Sequence, residues 1–177
     1  PLTVIIGYLS HFLSLETNEE QHDKAFRQMF TQASRMERLI KDLLMLSRLE
    51  TLPEITRLQD IELLPALQMI REEILAAFAN QRSIDIDCDT SLRLKGNWDE
   101  LRSAFSNLVM NAAKYTDAGG HIQVRWFADE EHAFFEVEDN GIGIENQHLS
   151  RLTERFYRVD KGRSIDTGGT GLGLAIV

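Results

Sequence analysis

Two asparagines, a lysine and an aspartate, set among glycine-bearing loops, are the residues whose types and spacing could do chemistry in this sequence. Asn107, Asn111 and Lys114 recur at i, i+4 and i+7 in Asn107-Leu108-Val109-Met110-Asn111-Ala112-Ala113-Lys114-Tyr115. At ~100° per residue, such spacing clusters all three on one helical face. An amide oxygen is a hard donor suited to Mg2+ beside phosphate oxygens. Lysine supplies a point charge for a phosphate, and Tyr115 can lie against a base. A solvated helix face accounts for any one of them alone; the three at this spacing favour a ligand.

Asp139 comes next, in Asp139-Asn140-Gly141-Ile142-Gly143-Ile144, after a run that reads as a strand. Glycines there let the backbone approach a ring closely, and an ionised carboxylate can accept a hydrogen bond from an exocyclic amine. That arrangement would select adenine over guanine. The plainer explanation is a turn whose aspartate bonds its own backbone, and it loses only in the company of the asparagine helix. Further on, Arg151, Arg155, Arg158, Lys161 and Arg163 precede Gly168-Gly169-Thr170-Gly171-Leu172-Gly173. In a region otherwise acidic, this cluster reads as a triphosphate grip. The loop would add backbone N–H groups and a helix N-terminus at about residues 170–174, both favourable to anions. Together these are parts for a nucleoside triphosphate and its metal ion. The G-x-x-x-x-G-K-[S/T] pattern of a P-loop is absent, and the glycine order of a Rossmann turn is not met.

These residues need elements to hold them. Leu2, Ile5, Leu9 and Phe12 follow a helical rhythm, and so do Met29, Ala33, Met36, Ile40 and Leu43 after a polar break at residues 16–20, where Thr17 or Asn18 would cap the second helix. Two amphipathic helices cannot close a core, so the pattern predicts a dimer in which two hairpins form a four-helix bundle. Leu52-Pro53-Glu54 breaks the pattern, and the acidic excess falls almost entirely beyond it. The expected domains are therefore residues 1–51 and 52–177. In the second, the pattern predicts a strand over 57–61, a helix over 64–80, strands over 84–88 and 92–95, a helix over 99–115 and strands over 122–126 and 133–138. The stripe Leu101, Phe105, Leu108 and Ala112 would bury the long helix. Helices followed by antiparallel hairpins predict an α/β sandwich with one sheet face covered.

Composition narrows the class. The 177 residues are 43% apolar and 27% charged, which fits a globular chain. A formal net charge of -9 argues against direct nucleic-acid binding, which needs a basic face. The lone Cys88 cannot form an internal disulfide and reads as a small buried residue. No run approaches the ~20 apolar residues of a membrane span. His11, His22, His121, His132 and His148 lack partners at metal-ligand spacing.

In sum, these pieces resemble the sensor histidine kinases of two-component systems. Residues 107–115 resemble that family's N box, 139–144 its G1 box, 154–158 its F box and 169–173 its G2 box, while 1–8 are similar to the segment after its phospho-acceptor motif, H-E-L-R-T-P. The resemblance implies an α+β fold: a dimerising helical hairpin followed by an α/β sandwich of the histidine kinase, gyrase and chaperone ATPase type. It implies ATP and Mg2+, with Asn111 as metal ligand and Asn107, Lys114, Tyr115 and Arg158 around the phosphates and ring. Asp139, with Gly141, Ile142 and Gly143, would hold the adenine. Arg158 to Gly173, including Lys161, Gly169, Thr170, Gly171 and Leu172, would form a mobile lid. The implied reaction moves the γ-phosphoryl of ATP to a hairpin histidine and then to an aspartate of a response-regulator receiver domain. Homodimerisation through residues 1–51, a cytoplasmic setting and a parent anchored in the bacterial inner membrane are further expectations.

The acceptor histidine of the family would fall upstream of Pro1, and His11 lacks the following acid, so this stretch is not expected to autophosphorylate. The family's closing strands would follow Val177. Two alternatives stand beside this reading. One is a dimerising nucleotide-binding module without catalysis. The other is a gyrase- or chaperone-like ATPase, disfavoured because Asn107 stands where those enzymes carry a glutamate, and an amide cannot take a proton from water.

Overall fold

The computed structural model describes residues 2–14, 19–51, 58–159 and 169–177. Two helices come first, α1 (Leu2–Ser14) and the long α2 (Glu19–Thr51). The expected cap at Thr17 or Asn18 lies outside the described residues. The helices pack on each other, yet Leu2, Ile6 and Leu9 of α1 and Phe30, Ile40 and Leu44 of α2 stay exposed. Of the expected seam, Met29 is buried, Met36 and Ile5 are half-buried and Ala33, Ile40 and Leu43 are exposed.

An α/β layer follows: β1 (Gln59–Ile61), α3 (Leu63–Ala77), β2 (Ser83–Cys88), β3 (Leu94–Gly96), α4 (Trp98–Tyr115), β4 (His121–Ala128) and β5 (Ala133–Asp139). Two single-turn helices complete it, α5 (Asn146–Leu149) and α6 (Gly173–Ile176). The main sheet runs β2-β4-β5, and β1 pairs with β3 separately. Alternation decides which face is buried. Ile122, Val124 and Trp126 of β4 turn inwards with Ile84 of β2, and α3 and α4 cover that face with Leu67, Ile70, Phe105 and Val109. The outer face carries Arg125, ion-paired with Glu136 and, at 3.2 Å, with Glu138 across β5. At the β4–β5 turn, Asp129 Oδ1 accepts the Glu131 and His132 N–H groups at 2.8 and 2.7 Å.

Several sequence expectations are corrected. β2 and β4 are parallel, Ile84 opposite Ile122 and Ile86 opposite Val124, while β4–β5 and β1–β3 are antiparallel. A parallel pair needs a crossover, and the segment carrying β3 and α4 supplies it. α3 ends at Ala77 rather than Asn80, because Ala79 and Asn80 take left-handed φ of 52° and 55°, which a right-handed helix cannot continue. The buried stripe of α4 is Phe105, Val109, Ala112 and Ala113; Leu101 and Leu108 are only half-buried. Cys88 is half-buried too, and burial pushes its thiol pKa upwards, with Asp89 and Asp87 adding to the effect.

Candidate functional site

α4 is built to present its C-terminal half in a fixed place. Asn97 caps it, its Oδ1 accepting the Asp99 N–H at 3.0 Å, and its side-chain amide donates to Glu100 at 3.1 Å, which holds the cap in place. The helix stops at Thr116, whose side chain is buried at 1% exposure. With the apolar stripe locked against the sheet, Asn107, Asn111 and Lys114 are left on a half-buried face and Tyr115 is 47% exposed.

The 139–143 turn is tied to the end of this helix. The Ile142 N–H donates to the Tyr115 carbonyl at 3.1 Å, and the Gly141 N–H donates to Asp139 Oδ1 at 2.9 Å. One carboxylate oxygen therefore does make the local turn bond, and Oδ2 is not used in it. Gly141 lies so close that a Cβ would run into the Tyr115 carbonyl. Gly143 has φ of +68°, open to glycine and costly to other residues.

The 169–173 loop lies against Asn107, Lys114 and Arg158. A Cβ on Gly173 would stand 2.7 Å from Asn107 Oδ1, and one on Gly169 would stand 3.3 Å from Lys114 Nζ and 3.4 Å from an Arg158 guanidinium nitrogen. Arg158 also donates to the Gly169 carbonyl. Phe156 clamps the same loop: it adopts a left-handed φ of 63°, and its N–H donates to the Gly171 carbonyl at 2.8 Å. A bulky residue held there is backbone strain of the kind that clusters at ligand sites. Asn107, Lys114, Arg158, Gly169 and Gly173 are thus brought together, and the 139–143 turn joins them through Tyr115.

Other parts of the expected grip go elsewhere. Arg151 pairs with Glu154 at 2.9 Å and stacks over Tyr157, and Arg155 pairs with Glu50 of α2. Lys161, Arg163 and Gly168 lie outside the described residues. The expected helix N-terminus at 170–174 is a single turn from Gly173, too short to add a macrodipole. Burial, then the guanidiniums of Arg38 and Arg158, hold the Lys114 pKa below its usual 10.5, while Asp42 pulls it the other way. Arg38 and Asp42 come from α2, and sequence patterning missed both. Thr170 donates to Asp42 Oδ2 at 2.9 Å. Leu46 of α2 is buried with Leu172 and Ile176, so the hairpin reaches the loop directly. The signal in the sequence was slight: a charge among the apolar residues of α2, which reads as one more solvated position.

Among the described residues no group of three His, Cys, Asp or Glu side chains could hold a metal ion. No described helix is long and apolar enough to cross a membrane.

Residues 1–52 match the model of the His Kinase A (phospho-acceptor) domain, and residues 96–177 match that of the histidine kinase-, DNA gyrase B- and HSP90-like ATPase. The chain belongs to the sensor histidine kinases of two-component systems. It is similar to the phosphate regulon sensor protein PhoR of Pseudomonas aeruginosa, 49% identical over all of this chain and 40% of that protein. The PhoR of Haemophilus influenzae is 38% identical over all of this chain and 41% of its own length. The chain thus spans about two fifths of these curated relatives. Among solved structures, the Acinetobacter baumannii histidine kinase AdeS superposes with a TM-score of 0.71 at 20% identity, covering 99% of this chain and 80% of that one. Full-length ShkA in complex with AMPPNP gives 0.70 at 23% identity, covering 92% of this chain and 34% of that one. At such identities these two establish the fold alone.

Proposed function

We propose that this chain is the nucleotide-binding and phosphotransfer core of a phosphate-regulon-type sensor kinase. It would move the γ-phosphoryl of ATP to a histidine on a helical hairpin, and from there to an aspartate of a response-regulator receiver domain. The observation that carries the reading is the convergence of α4, the 139–143 turn and the 169–173 loop, with Lys114 and Arg158 against the backbone of Gly169.

The residues present suit the ligand. Glycines stand where a Cβ would fill the cradle, at 141, 169 and 173. Two cations crowd together with Lys114 partly desolvated, a position that an arriving phosphate would relieve. Asp139 would accept from the adenine amine, with Gly141, Ile142 and Gly143 shaping the ring pocket and Tyr115 beside it. Asn107, Lys114, Arg158, Thr170, Gly171 and Leu172 would surround the phosphates. Mg2+ would be held by phosphate oxygens and water with Asn111 as the protein donor, which fits an ion that keeps much of its hydration and needs no protein cage. Phosphoryl transfer draws mostly on positioning and charge neutralisation, and these residues can supply both.

Residues 1–51 would form the dimerising unit and 52–177 the catalytic one. The exposed apolar residues on α1 and α2 support pairing of two hairpins into a bundle. Any membrane anchor would belong to parts of the parent protein outside this chain. The test is a calorimetric titration with MgATP and MgGTP. MgATP should bind more tightly, and Asp139→Ala should weaken MgATP and narrow the gap. Equal affinity for both nucleotides, or no effect of Asp139→Ala, would contradict the assignment of the base pocket.

A further inference from the structure

Asp42 stands on α2 among groups of opposite charge. Its Oδ2 accepts the Thr170 hydroxyl at 2.9 Å, and that hydroxyl oxygen accepts the Leu172 N–H at 3.2 Å. Lys114 lies within electrostatic reach of Asp42, of Arg38 one turn earlier on α2, and of Arg158. Beyond the polar contact, Leu46 packs one turn further along α2 on Leu172 and Ile176. A carboxylate from the hairpin therefore supplies negative charge to Thr170 and Lys114, two groups that the nucleotide reading above gives to phosphate oxygens.

We propose that Asp42 is an internal anion that holds α2 against the 169–173 loop in competition with the phosphates of a nucleotide, whose binding releases the hairpin from the loop. The inference rests on the nucleotide reading and adds the coupling between that site and the hairpin. Its logic is one of exclusion. A threonine hydroxyl has a single proton to donate, so Asp42 and a phosphate oxygen cannot both take it. Two anions a few ångströms apart in a partly buried site also repel strongly. Because coupling between sites is reciprocal, nucleotide must weaken the docking of α2 as much as that docking weakens nucleotide. The Asp42 anchor acts beside the apolar contact of Leu46 with Leu172 and Ile176 and the Arg155–Glu50 ion pair, so its loss loosens the docking of α2 on the loop without removing every support.

The experiment compares the 177-residue chain with Asp42→Asn, which keeps the shape and the acceptor oxygen but removes the charge. Affinities for MgATP and for adenosine are measured by calorimetry. Asp42→Asn should tighten MgATP about tenfold, inside the usual range of ~5- to 150-fold for coupled sites, and leave adenosine unchanged because it carries no phosphate. A second measurement needs no change at Asp42: spin labels at Arg48→Cys and Glu130→Cys, in a Cys88→Ser background, should move apart on saturation with MgATP and stay put with adenosine. Unchanged MgATP affinity in Asp42→Asn, an equal gain for adenosine, or a label distance indifferent to MgATP would each overturn the proposal while leaving the nucleotide site standing. If neither form binds MgATP or adenosine, the nucleotide reading falls and the latch falls with it.

Discussion

Val109 and Ile122 in the α/β part are 2% and 0% exposed, whereas Ile40 and Leu44 on α2 stand at 54% and 56%. Both regions are built from amphipathic elements of ordinary apolar content. In the α/β part, sheet and helices bury one another's faces, so the layer completes its own core. In the hairpin, two helices cover only a strip of each other, and the remaining apolar residues require another surface. The α/β part carries the 107–115 and 139–143 segments of the candidate site, and the hairpin reaches the 169–173 loop through Leu46 and Asp42.

The sharpest way to break this contrast is to truncate matched leucines. Leu67→Ala, at a side chain 2% exposed, should destabilise the α/β part by about 2–5 kcal/mol. Leu44→Ala should cost less than ~1 kcal/mol in the isolated chain. Denaturant midpoints for the two variants decide it, and equal losses would erase the distinction. Next in size is association. Ile40→Glu with Leu44→Glu should convert a dimer into a monomer in sedimentation experiments while leaving the α/β unfolding transition in place. A wild-type chain that sediments as a monomer at high concentration would remove the reason for the exposed stripe.

A smaller effect separates site from scaffold. Lys114 is held below its usual pKa first by burial and then by Arg38 and Arg158. The folded state therefore penalises its charged form. That penalty is in full force below the depressed folded value and is relieved as pH rises through it towards 10.5, so stability climbs across this alkaline window. Lys114→Met should raise stability at neutral pH, remove this rise, and weaken MgATP binding. A variant less stable than wild type, with the same alkaline slope, would show that Lys114 serves the scaffold instead.

Much of this organisation was legible in the sequence because local patterns and tertiary demands agree there. The alternation of Ile84, Ile86 and Cys88 with aspartates is a strand in any context that buries one face, and Asn107, Asn111 and Lys114 share a helix face wherever the helix forms. The parallel pairing of β2 with β4 was not legible, because alternation is the same for parallel and antiparallel partners. Nor was the fate of the basic cluster: Arg151 and Arg155 differ from Arg158 only in the acids that fold next to them, Glu154 in sequence and Glu50 across the chain. Asp42 illustrates the same limit, since its meaning depends on Thr170, 128 residues away.

Three separate segments form the proposed nucleotide site, and amide hydrogen exchange on the whole chain with and without MgATP tests this most directly. Simultaneous protection of residues 107–115, 139–143 and 169–173 is the predicted result. Protection confined to one of these segments, or appearing only elsewhere, would contradict the account.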